Sequence, residues 1–118
     1  MITEADTAAV LRKAAEGLRD PEQVVLDPWN LFEDADGRDV GENEEPCRAC
    51  AVGHIVWATV GAVSPMKVEI AACDAVGRHL VDLREDELTV RLRDEGAVAV
   101  ADLYDRVADG LEAAEGSS

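Results

Sequence analysis

Three residues near the middle of the chain have types and spacing that could do chemistry: Cys47, Cys50 and His54. On a helix, offsets of three and four residues bring such side chains onto one face. Zinc takes thiolate sulfur and imidazole nitrogen at spacings of this kind, and Cys73 or His79 could supply a fourth ligand. The second Cys-x-x-Cys pair that usually completes a structural zinc site is absent. The Cys47/Cys50 pair also follows Pro46, and a thiol at a helix N-terminus is acidified and reactive. Thiol–disulfide enzymes want a βαβ setting that this sequence does not provide. The competing reading is packing: small cysteines fill a tight helix–helix seam, and His54 is a satisfied core residue. No cofactor is therefore expected, with zinc at Cys47, Cys50 and His54 as the alternative.

Carboxylates form the second group. Asp34-x-Asp36-Gly37-x-Asp39 looks like a calcium loop, but with Gly37 in the sixth position Phe32 falls first and Asn43 twelfth. Both should be acidic, so an ordinary acidic turn is expected. Asp102, Asp105, Asp109 and Glu112 recur at helical spacing and form one ridge. Neither a Gly-x-Ser-x-Gly elbow nor a Gly-rich phosphate loop is present. No catalysis is expected. Glu33, Asp34, Asp36 and Asp39, with the ridge, are instead candidates for steering a basic protein partner. An alternative of another class is a nucleic-acid mimic, in which spaced carboxylates imitate phosphates and block a DNA-binding protein.

The charge balance supports these exclusions. The 118 residues carry 26 acidic and 11 basic side chains, a formal net charge of −15. Such a chain cannot neutralise phosphates over a broad surface, nor approach an anionic membrane leaflet favourably. The charge is uneven: −2 over residues 1–26, −7 over 27–45, +1 over 46–81 and −7 over 82–118. The near-neutral middle reads as core and the acidic flanks as wet faces.

Elements must position these groups. Thr3 and Asp6 are spaced as a capping box, and Ala8, Leu11, Ala15 and Leu18 follow as one helical face, ended by Asp20-Pro21. Val24 to Phe32 is a mixed apolar segment suited to a short strand. Glu33 to Glu45 reads as a polar loop with a turn at Asp36-Gly37. Cys47 to Ala62 reads as a helix apolar nearly all round, with Val52, Val56, Val60 and Val63 on one face. A helix of that kind belongs at the centre of a bundle. Ser64-Pro65 starts the next helix, whose expected stripe is Met66, Ile70, Cys73, Gly77 and Leu80, with Val76 beside it. Leu88 to Arg93 alternates like a strand, with a short helix starting near Asp86 as the rival reading, and Val100, Leu103, Tyr104, Val107, Leu111 and Ala114 mark a last helix. The expected fold is mainly α: one domain over 1–118, about four helices around a central apolar helix, one or two short strands, and a frayed tail at 115–118. The Ala/Val-rich faces would serve a homodimer seam as well as a core.

The longest apolar stretch, Ala49 to Val63, is interrupted by Gly53, His54 and Thr59 and falls short of the roughly 20 residues of a membrane span. Met1-Ile2-Thr3-Glu4 lacks the charged start of a secretion signal. A cytoplasmic location with reduced thiols is expected.

Asp27-Pro28-Trp29, Asp34-Ala35-Asp36-Gly37-Arg38 and Cys50-Ala51-Val52-Gly53, taken in order, resemble an uncharacterised family of small actinobacterial and actinophage proteins, over residues 5–114. The family has a C-terminal Trp-Asn-Asp element where this chain reads Leu92-Arg93-Asp94, and a small residue where it has His54. The resemblance implies no reaction. It agrees with an Ala-, Val- and Arg-rich composition of the kind a GC-rich genome encodes.

Overall fold

The first helix, α1 (Glu4–Leu18), begins where the sequence says it should. Thr3 Oγ1 accepts from the Asp6 backbone N–H at 3.1 Å, and Asp6 Oδ2 accepts from the Thr3 N–H at 3.0 Å. This reciprocal pair satisfies two N–H groups that the helix leaves open. Thr7, Ala8, Val10, Leu11, Ala14, Ala15 and Leu18 are buried. After Arg19 the chain turns into one 3-10 turn, Pro21–Gln23, capped by the Asp20 carboxylate, which accepts from Glu22 N–H at 3.0 Å. The computed structural model describes residues 3–25, 32–36, 38–41, 46–62, 64–82 and 95–116. The expected Leu88–Arg93 strand lies outside the described residues, as do Trp29 and Gly37.

Extended segments form a small layer beside the helices. Strand β1 (Phe32–Glu33) pairs antiparallel with β2 (Arg48–Ala49), Phe32 opposite Ala49. Glu33 also bridges Asp39, with the Val40 N–H donating to the Phe32 carbonyl at 3.1 Å. Val24 bridges Ala49 from the other side, and the Val25 N–H donates to the Ala49 carbonyl at 3.0 Å.

That pairing corrects the expected Cys47–Ala62 helix. Cys47 donates its backbone N–H to the Glu33 carbonyl at 2.9 Å and Ala49 is bonded to Val25, so the chain stays extended to Cys50. Helix α2 is only Ala51–Ala58. It ends where Thr59 Oγ1 bonds back to the Val56 carbonyl at 2.7 Å and Gly61 takes a positive φ of 88°. Its buried side is Ala51, Gly53, His54, Ile55 and Ala58. The valine face is the wetter one: Val52 and Val56 are half-buried and Val60 is exposed.

Helix α3 (Pro65–Asp82) starts at the expected Ser64-Pro65, with Val68 N–H bonded to the Ser64 carbonyl. Its buried side is rotated from the expected stripe. Val68, Ala72, Ala75 and Val76 face the core, Cys73 is half-buried, and Met66 and Ile70 are exposed. Small alanines permit closer helix approach than Met and Ile do. Side chains of residues 79–82, including His79 and Leu80, lie outside the described set. Helix α4 (Ala97–Gly116) buries Val100, Leu103, Tyr104 and Val107 as expected, with Ala101 and Ala108. Ala114 is exposed, and the helix includes Glu115 and Gly116, which the expected frayed tail had contained.

The result is a mainly α domain, with four helices and two short strands among the described residues and a radius of gyration of 13.8 Å, close to the roughly 13 Å of a compact chain of this length. Helix α1 packs on all three other helices and most extensively on α4. Its Arg12 pairs with Asp109 and Glu112 while Arg19 pairs with Asp102, so the two helices run antiparallel. Among the described residues no helix is long and apolar enough to cross a membrane.

Candidate functional site

The four ridge carboxylates of α4 do not point away from the protein. Arg12 reaches Asp109 at 2.6 Å, Glu112 at 2.8 Å and Asp105 at 3.5 Å. Arg19 reaches Asp105 at 2.7 Å and Asp102 at 2.8 Å. Two guanidiniums thus bind all four acids, with Asp105 shared. Both guanidinium pKa values rise, Arg12 chiefly through its hydrogen bond to Glu112 and Arg19 chiefly through Asp105. The Arg12 hydrogen bond holds the Glu112 carboxyl below its ordinary value. Arg12 and Arg19 are seven residues apart, two helical turns, and the acids recur at three and four.

The second acidic group, at the β1 hairpin, is built differently. Asp34 Oδ1 accepts from the backbone N–H groups of Asp36 and Arg38, both at 2.9 Å, and the Asp34 N–H donates to the Arg38 carbonyl at 3.0 Å. Its carboxylate therefore shapes the turn. Arg48 Nη1 donates to the Asp34 carbonyl at 3.3 Å, tying β2 to that turn. Glu33 lies in β1, half-buried. Asp36 and Asp39 are exposed, and among the described residues neither forms an ion pair.

Cys47, Cys50 and His54 do not share a helix face, because Cys47 precedes β2 and is exposed. Cys50 is the α2 N-cap, its Sγ accepting from the Gly53 N–H at 3.4 Å. Burial pushes its thiol pKa up, outweighing the opposing N–H groups of Gly53 and Val52. This reverses the activation expected of a thiol at a helix start. His54 is buried, its Nε2 at 2.8 Å from the Gln23 carbonyl and its ring edge-on to Trp57 at 5.3 Å between centroids. Burial lowers its pKa below the usual histidine value, against the Gln23 hydrogen bond and the Asp20 charge. Among the described residues, no three His, Cys, Asp or Glu side chains converge as a metal site.

Two further contacts had no local signal. Tyr104, fully buried, donates its hydroxyl to the Ala51 carbonyl at 2.8 Å and joins α4 to the start of α2. Gly17 lies under the His54 ring: a Cβ there would contact Nδ1 and come within 2.7 Å of Cε1. A groove of about 230 Å³ opens between the start of α1, the middle of α3 and Leu111. Its charged pair, Arg78 and Asp74, is already joined at 2.8 Å. No family model, curated protein or solved structure matches this chain.

Proposed function

We propose that the chain is a small acidic accessory protein that acts by binding a basic protein partner, without catalysis of its own. The observation that carries this reading is the contrast in what the two acidic groups are joined to. The ridge of α4 is engaged by Arg12 and Arg19, whereas Asp36 and Asp39 stand exposed on a hairpin fixed by backbone hydrogen bonds. Exposed carboxylates on a fixed frame steer a cationic surface at little ordering cost. The nucleic-acid-mimic alternative draws on the ridge carboxylates, half neutralised by two arginines, and is the weaker of the two. A phage- or mobile-element-encoded origin and a cytoplasmic location belong to the same proposal.

The test is binding to a partner captured from a GC-rich bacterial lysate and then purified. Affinity should fall with added salt and fall again in an Asp36→Asn/Asp39→Asn variant. Asp102→Asn should leave it unchanged. A partner bound equally well by all three proteins would overturn the assignment of the hairpin. Stronger dependence on Asp102 would favour the mimic.

A further inference from the structure

His54 is 2% exposed. Its Nε2 lies 2.8 Å from the Gln23 carbonyl, which can only accept, so Nε2 carries the proton and Nδ1 is bare. Nδ1 and Cε1 lie against Gly17, in a slot that exists only because residue 17 lacks a Cβ. Among the described residues Nδ1 has no hydrogen-bond partner. The ring thus joins three pieces of chain: the last turn of α1, the 3-10 turn that contains Gln23, and α2.

We infer that His54 is an acid-sensitive latch: neutral, it holds the end of α1 and the following 3-10 turn against α2; protonated, it leaves its slot and lets them part. A second proton must go to Nδ1, where it faces Gly17 and, among the described residues, meets no acceptor. A buried imidazolium with an unmade hydrogen bond is costly. The charged group that bears on the ring from the α1 side is Asp20, whose Oδ1 already caps the 3-10 turn at Glu22. From α2 the ring meets the uncharged indole of Trp57. Relief therefore comes from rotation toward water and Asp20, which breaks the bond to Gln23 and empties the slot over Gly17.

The sign follows from linkage. The closed form holds fewer protons than the open form, because burial lowers the His54 pKa. The latch is fully closed above the ordinary histidine value and weakens as pH falls below it. Between the ordinary and the lowered value, opening increases about tenfold per pH unit, then levels off.

The experiment is an NMR titration of the His54 Cε1–H in the full chain, with hydrogen exchange of the residue 17–25 amides corrected for intrinsic rates. A His79→Gln variant assigns the signal. Protection at 17–25 should drop about tenfold per unit below pH ~6.5, while α4 amides near Val107 keep theirs. In His54→Gln, whose side chain does not titrate, the drop should vanish. Should that variant fail to fold, Asp20→Asn carries the test: loss of its charge should move the His54 midpoint to lower pH. An unmoved or raised midpoint there, or a drop that persists in His54→Gln, overturns the latch.

Discussion

Helix α1 meets α4 and α2 with opposite chemistry. Along α4, the rim of the apolar contact is ionic: two arginines and four carboxylates at 2.6–3.5 Å, the arginine side chains each 39% exposed. Along α2, the contact includes a neutral histidine seated on a glycine, with one part-buried hydrogen bond to the chain just beyond α1. The ionic rim is the more conspicuous, yet water screens it and each pair carries little stability. The neutral contact has a single polar atom pair and no slack. The contrast shows that the conspicuous charges orient the helices, while fit at one glycine decides whether they can pack.

The largest effect is expected from Gly17→Ala. The new methyl overlaps the His54 ring, so the ring must leave and the Gln23 carbonyl loses its donor. The cost should be about 2–3 kcal/mol, a fall in Tm of about 10 °C. Gly110→Ala is the control: it lies within α4, with nothing within 4 Å of the added carbon. It should stabilise by about 0.5–1 kcal/mol through helix propensity. Equal losses in both variants, measured by urea unfolding, would erase the distinction drawn for α1.

Tyr104→Phe asks whether neutral buried hydrogen bonds outrank ionic ones beyond a single seam. Removing the hydroxyl leaves ring packing intact but takes a donor from the Ala51 carbonyl. About 1–1.5 kcal/mol should be lost, independent of salt.

These contacts differ sharply in how far the sequence revealed them. The Thr3–Asp6 capping box, the Ser64-Pro65 start and the buried spacing of α4 are local, and local rules read them. The start of α2 was misread because Cys47 and Ala49 satisfy their backbone groups with Glu33 and Val25, partners outside any helical window. The inner face of α3 was misread because Met66 and Ile70 are the more apolar choice, whereas close packing selected Ala72 and Ala75. Of the proposed site residues, the acids were legible as charges but not as ion pairs. Gly17 and His54 are 37 positions apart, and no periodicity links them.

Arg12→Ala and Arg19→Ala would measure the ionic rim directly. Each should cost about 0.5 kcal/mol, discounted for exposure and non-additive through shared Asp105. In 1 M salt the loss should nearly vanish, whereas the Gly17→Ala deficit should persist. A charge-pair loss that survives high salt would mean that the rim is better shielded than its exposure indicates.

Acid separates the two seams by order of failure, and the ionic one should give the smaller signal. Glu112 has a lowered folded pKa, so its contribution is present above the ordinary glutamate value and fades as pH falls through the lowered one. His54 loses its contribution higher, below the ordinary histidine value. Stability measured against pH should therefore decline in two stages, first at the α2 contact and then at the α4 rim. Glu112→Gln should remove part of the second stage and leave the first untouched. If the second stage were unchanged in that variant, the Arg12–Glu112 pair would be a feature of geometry alone, and the ionic rim would rest on Asp105, which both arginines share.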